Sequence, residues 1–224
     1  MTTLAKINDL KSDLVRGYLS YDEIFQKHIV DGNTFFFQSF LGDVSKEYKA
    51  KTIIADYLGV HIHEVIFVGS AKLGFSLNPR NLFNEFDSKF QMTKLNKDKS
   101  DLDIAIVSTR LFDHISKNIF DYTDAFRNKW DDNEYYNGER LNDFNVPICF
   151  KYFEYFSKGW FRPDMKPRGY EFCIKNSYED MKRTLFENFK RKVGLGIYQD
   201  WHFFKHYHIN NLKSLSYRVK TDTI

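Results

Sequence analysis

Apolar positions recur first with a helical period. Leu4, Ile7, Leu10, Leu14 and Val15 fall near one face and predict an amphipathic helix over residues 3–16. A second, shorter helix is expected from Tyr18 to Val30, with Tyr21, Ile24, Phe25 and His28 at helical spacing. Asp31-Gly32-Asn33 is a turn signal, after which the strongly apolar stretch Thr34–Leu41 runs to Gly42. Asp43 is placed to cap a helix through Leu58 that Gly59 stops. Its apolar face is expected to use Val44, Tyr48, Ile53, Ile54 and Tyr57.

The period then changes. Val65-Ile66-Phe67-Val68 is a short unbroken apolar run and reads as a strand, followed directly by Gly69-Ser70-Ala71-Lys72-Leu73-Gly74. A second strand is expected in Ser100-Asp101-Leu102-Asp103-Ile104-Ala105-Ile106-Val107. Between them, Leu77 to Lys99 alternates apolar and charged residues. Ser108-Thr109 caps a predicted helix from Arg110 to about Trp130, which Asp131-Asp132-Asn133-Glu134 breaks. A further helix-like stretch runs from Arg140 to Gly159, rich in aromatics, and Trp160–Gly169 reads as a rigid loop. Tyr170–Ile174 alternates like a short strand, and Ser177 with Asp180 resembles a capping pair for a helix to about Lys190. Lys192–Tyr198 reads as another strand, in which Gly194 and Gly196 suggest close approach of a neighbour. The last helix begins near Asp200 and runs to about Val219.

These elements predict an α+β fold, a small mixed sheet with helices from both ends of the chain. An N-terminal helical region, residues 1–60, and a core with a helical extension, residues 61–224, are expected to form one compact unit. With 42% hydrophobic residues, including 23 Phe and 14 Tyr, the chain can bury a large core, which argues against disorder away from its ends. A net charge of +3, from 33 basic and 30 acidic residues, is too small to argue for nucleic acid by itself. Cys149 and Cys173 imply no disulfide framework. The N-terminal residues show no signal-peptide pattern and no apolar run reaches membrane-spanning length, so the expectation is a soluble, cytoplasmic protein without a membrane partner.

The candidate chemistry lies between Glu64 and Ser108. On a strand, side chains two apart share a face, so Asp101 and Asp103 project together while Leu102, Ile104 and Ile106 form the other row. Two carboxylates this close repel unless a cation sits between them. Hard carboxylate oxygens suit Mg²⁺, commonly held by one or two carboxylates plus substrate phosphates. The Gly69-Ser70 turn offers backbone N–H groups and a hydroxyl to a phosphate. Together these features describe a metal–triphosphate site.

The order Gly69-Ser70, Gly74, then Ser100-Asp101-Leu102-Asp103 resembles the signature of the DNA polymerase β-type nucleotidyltransferase superfamily. The resemblance covers roughly Val65 to Val107. It implies that Gly69 and Ser70, with Lys72 and Ser100 nearby, bind the triphosphate of a nucleotide such as ATP. It also implies that Asp101 and Asp103 bind two ions of Mg²⁺ or Mn²⁺. The acceptor it implies is a hydroxyl on RNA, DNA, a protein or a small molecule. Some stand-alone proteins resembling this family are antitoxins or defence proteins that act on a protein partner, which gives a non-catalytic alternative. Two departures are visible: 29 residues lie between Ser70 and Ser100, more than the family usually has, and no later strand supplies an obvious third carboxylate. Glu171, in a strand-like run, is the favoured candidate for that catalytic acid, and Asp200 is the other.

The remaining polar clusters are weaker signals. Lys89, Lys94, Lys97 and Lys99 crowd the approach to the acidic pair, either as a solvated loop or as a contact to an anionic substrate. Arg162, Lys166 and Arg168 could hold a phosphate or neutralise developing charge, as could Lys72. Lys190-Arg191-Lys192 adds a third basic stretch. His202 and His206 have the spacing of a zinc pair, but no third ligand follows.

Overall fold

The computed structural model of the protein describes residues 2–130 and 148–221. The predicted helix break at Asp131–Glu134 and the predicted helix start at Arg140 lie outside them. The first half of the chain forms α1 (Thr3–Arg16), α2 (Tyr21–Phe25), α3 (Ser45–Leu58), β1 (Val65–Val68), α4 (Gly69–Leu73) and α5 (Ser88–Thr93). The second half forms β2 (Leu102–Val107), α6 (Thr109–Tyr122), α7 (Ile148–Phe156), β3 (Trp160–Phe161), α8 (Tyr178–Phe189), β4 (Val193–Tyr198) and α9 (Trp201–Thr221).

The four strands make one mixed sheet in the order β1-β2-β4-β3. β1 runs antiparallel to β2, with Val68 opposite Asp103, and β4 runs parallel to β2, with Gly194 opposite Asp103. β3 pairs antiparallel with β4 through Trp160 and Phe161. The period-2 rule sorts the side chains. Leu102, Ile104 and Ile106 enter one core with Val65, Phe67 and the buried faces of α3, α6 and α8. Ile66, Ala105, Val107 and Tyr198 enter a second core with α1, α2 and α9. Helices thus cover both faces of the sheet, and Asp103 sits on the same face as α9.

Local chemistry explains most boundaries. Thr2 caps α1, and Gly17 ends it in the left-handed conformation. Ser20 and Glu23 form a capping box for α2, which continues without a break into a π-helical turn over Gln26–Val30. A second π-helical turn, Phe36–Phe40, buries Phe36 and Phe37 in the apolar stretch that precedes Gly42. Before α3, the Asp43 carboxylate accepts from the Ser45 N–H at 3.0 Å and its hydroxyl at 2.6 Å. The buried face of α3 is Ala50, Ile54, Ala55 and Leu58, whereas Val44 and Tyr48 are exposed. Two alanines let the helix lie close to the sheet, and large aromatics would not.

Three other expectations are corrected. The helix after Ser108 ends at Tyr122 rather than near Trp130. The Thr123 hydroxyl donates to the Ile119 carbonyl at 2.6 Å, and Asp124, Ala125 and Phe126 all have positive φ. Tyr170–Ile174 is a loop, touched only by an isolated bridge between Cys173 and Ser177. Its alternation arises because Tyr170 and Phe172 dip inward against Tyr122 and Phe161, with ring centroids 5.4 and 5.7 Å apart. Ser177 stands at the start of α8 without a side-chain capping bond, and Asp180 pairs instead with Arg183 at 2.5 Å. Both cysteines are free. Among the described residues, no helix is long and apolar enough to cross a membrane.

Candidate cation and phosphate site

Asp103 is held by its register. At the end of β1 the chain turns at Gly69, whose φ is +65, a conformation that favours glycine. A Cβ on Gly69 would lie 2.5 Å from Asp103 Oδ2. On the other side, a Cβ on Gly194 would lie 2.7 Å from Asp103 Oδ1. The carboxylate therefore rests between two glycines on two neighbouring strand ends, in a space that any larger residue would fill. Among the described residues, neither Asp101 nor Asp103 pairs with a cationic side chain within ion-pair distance.

The electrostatics match this geometry. Asp103 keeps an exposed face on the cleft, yet desolvation by the flanking walls pushes it up to about 6, the adjacent Asp101 charge pushes the same way, and Arg162 opposes both. Asp101 is also raised by burial, against the pull of Lys192 and Arg191. Two neighbouring carboxylates that each resist ionisation form a site that favours a bound cation.

Asp103 opens into a cleft of about 830 Å³. Gly69, Ser70 and Val68 line it at the end of β1, Gly194 and Gly196 on β4, and Ser76, Leu77, Asn78, Pro79, Asn81 and Leu82 on the loop beyond α4. One stripe of α9 closes the far side with Tyr207, Asn211 and Arg218. Arg162 also faces the cleft. It is fixed by two bonds to Asp164, at 3.0 and 2.6 Å, and by its position 5.5 Å over the Trp160 ring. Gly196 makes room for that ring, since a Cβ there would lie 2.5 Å from Trp160 Nε1.

Several sequence candidates stand elsewhere. Lys72 points away from the cleft; its ammonium donates to the carbonyls of Val30, at 3.2 Å, and Gly32, at 2.5 Å, beside a second cavity. Burial there lowers it to about 8. The residue that follows Ser70 by two is on the opposite side of the α4 turn, which is why the motif position misled. Ser100 is likewise structural: its hydroxyl accepts from the Asp87 N–H at 2.9 Å, and its own N–H donates to Asp87 Oδ1 at 2.8 Å. Glu171 is exposed on the Tyr170–Ile174 loop and does not line the cleft. Asp200 accepts from the backbone N–H groups of His202, at 2.8 Å, and Phe203, at 3.2 Å, and so caps α9. Beside Asp103, the neighbouring strand position is Gly194, so β4 brings no acid. Lys166 donates to the Tyr170 carbonyl and stabilises its loop. His202 and His206 stack with centroids 6.1 Å apart, and among the described residues no third ligand joins them.

Two features escaped sequence reading. The ion pair between Arg191 and Asp87, 2.5 Å long and almost wholly buried, joins residues remote in sequence that no local pattern links. Asp9, Asp13 and His28 bring ligand atoms within 4.8 Å of one another, as a metal trio would. The Lys27 ammonium already serves that cluster as its cation, 3.0 Å from Asp9 and 2.7 Å from Asp13.

No family model, curated protein or solved structure matches this chain. The site's donor set, the Asp103 carboxylate in a glycine cradle at the cleft with Asp101 two residues before it, fits a hard divalent cation with oxygen ligands.

Proposed function

We propose that the protein is a divalent-cation-dependent nucleotidyltransferase, moving a nucleoside monophosphate from a nucleoside triphosphate to a hydroxyl acceptor. The observation that carries this reading is the Asp103 cradle, opening onto a cleft of about 830 Å³ beside Gly69 and Ser70. That volume lies within the range of small-molecule sites, roughly 300–1,000 Å³. Asp101 and Asp103 would hold Mg²⁺ or Mn²⁺, which when bound supplies Lewis-acid stabilisation of phosphate charge. Gly69 and Ser70 orient the phosphates of ATP or another triphosphate. Arg162, locked by Asp164 and Trp160, offers a fixed positive charge to the group that leaves.

A second reading is favoured by Gly194. The strand beside Asp103 supplies no third carboxylate, as expected of a module that binds a nucleotide, or a protein partner, without turning it over. One experiment separates the two. Wild type and the Asp101→Ala/Asp103→Ala variant are incubated with α-radiolabelled nucleoside triphosphates, Mg²⁺ or Mn²⁺, and total cellular RNA and protein. Label transferred by the wild type alone supports the enzyme. Triphosphate binding by calorimetry without transfer supports the binding module.

A further inference from the structure

Two basic stretches remote in sequence meet beside the acidic pair. The junction is the buried Asp87 carboxylate, which accepts from Ser100 N–H at 2.8 Å and from Arg191 Nη2 at 2.5 Å. The Leu102 N–H donates to the Lys192 carbonyl at 2.8 Å. The arm carrying Lys94, Lys97 and Lys99 is thereby fastened to the corner carrying Lys190 and Lys192. Burying an ion pair carries a desolvation cost that a freely solvated loop has no need to meet.

The fastening also decides which charges remain. Asp87 is matched by Arg191, and Asp98 by Lys89 at 2.6 Å. Lys94, Lys97, Lys190 and Lys192 stay exposed, and none forms an ion pair among the described residues. Aromatic faces stand among them. Phe186 is 49% exposed with Lys190 6.0 Å from its centroid, and Lys99 lies 5.1 Å over Phe90. Lysines that track phosphates, with the exposed Phe186 ring and the half-buried Phe90 ring among them for bases to stack on, are the chemistry that holds single-stranded nucleic acid. The edge ends at Asp101, which feels the Lys192 and Arg191 charges.

We propose that this edge binds a single-stranded polynucleotide and leads its terminal hydroxyl toward Asp103. The second half of that statement rests on the nucleotidyltransferase reading; the binding does not.

The test is fluorescence anisotropy of end-labelled mixed-sequence RNA and DNA oligonucleotides with the full chain, without nucleotide or divalent cation, across a salt series. Binding is expected at low salt. Engagement of all five lysines gives a slope of about −3 to −4 for log K against log salt, at roughly −0.7 per phosphate contact on a single strand. Lys94→Glu/Lys97→Glu/Lys192→Glu should weaken binding about tenfold or more at matched salt. Lys49→Glu/Lys117→Glu/Lys213→Glu, with the same charge change elsewhere, should stay within about twofold, and Phe186→Ala should lose affinity with the salt slope unchanged. No binding at low salt, equal loss in the control, or an acidic polypeptide competing as well as unlabelled oligonucleotide would each overturn the surface. Those outcomes leave the transferase reading standing. Binding retained without label transfer to the oligonucleotide overturns only its role as acceptor.

Discussion

Gly194→Ala tests the cradle most directly. The residue has no positive φ to preserve, so alanine fits the backbone of β4. Its Cβ would lie 2.7 Å from Asp103 Oδ1, where ordinary contact begins near 3.4 Å. The carboxylate must therefore move by about 0.7 Å, mostly by rotation. Leaving its rotamer costs about 0.5–1.5 kcal/mol. Replacing glycine by alanine returns about 0.4–1 kcal/mol by restricting the unfolded chain. Net stability should thus change by less than about 1 kcal/mol, while a displacement of this size weakens a geometry-dependent site by about tenfold to a hundredfold. Mn²⁺ titration by electron paramagnetic resonance reads the affinity, and thermal denaturation reads the stability. Two neighbours calibrate the result. Gly69→Ala crowds Oδ2 at 2.5 Å and also forces alanine to a φ of +65, so it should lose affinity and stability together. Gly196→Ala strikes Trp160 rather than Asp103, so it should lose stability and keep its cation affinity. Wild-type Mn²⁺ affinity in Gly194→Ala would refute the placement of the cation at Asp103.

Other expectations follow from the surroundings of three charged groups. Asp103 is raised to about 6 in the folded protein, above its ordinary value of 3.8. Between those values the native state holds the extra proton, so this group makes stability fall as pH rises from about 4 to 6. Asp103→Asn should flatten that part of the pH–stability curve, and an unchanged slope would count against the shift. For the same reason Mn²⁺ affinity should climb as pH rises through about 6 and then level off, and a flat response from pH 5 to 7 would remove Asp103 as a ligand. Asp87→Ala strands the Arg191 guanidinium in the core and should cost about 3–5 kcal/mol in urea denaturation; a loss below about 1 kcal/mol would mean that the pair is solvated. Lys72→Met should leave triphosphate affinity by calorimetry within about twofold, because its ammonium serves the Val30 and Gly32 carbonyls; a loss of tenfold or more would return Lys72 to the cleft.

What was legible in the sequence was what local patterns encode. The three longer strands, the Ser108 cap and the Gly59 stop follow from period and capping residues. Even the close approach at Gly194 and Gly196 could be read from two glycines inside an apolar run, although not that Asp103 and Trp160 are what approaches. The errors arose where tertiary packing imitates or overrides a period. Tyr170 and Phe172 alternate because a loop feeds two rings inward, without a strand partner. Val44 and Tyr48 look like a helix face, yet the sheet selects the smaller Ala50 and Ala55. Lys72 and Ser100 sit at suggestive motif positions, but their side chains satisfy a π-helical turn and a buried aspartate. The pairing of Asp87 with Arg191 is a property of the closed fold and leaves no local trace.

The cradle around Asp103 also bears on how the chain folds. Its parts arrive at very different times: Gly69 and Asp103 from a strand pair formed by nearby segments, and Gly194 only after α6, α7, β3 and α8 have been made. Parallel pairing of β2 with β4 requires closing that long intervening loop before any contact rewards it, which places the step late and makes it slow. A chain interrupted before β4 exposes the Asp103 edge of β2, unpaired along one side and open to association with other strands. Cation binding would thus begin only once the last strand has docked, making it a reporter of completed folding.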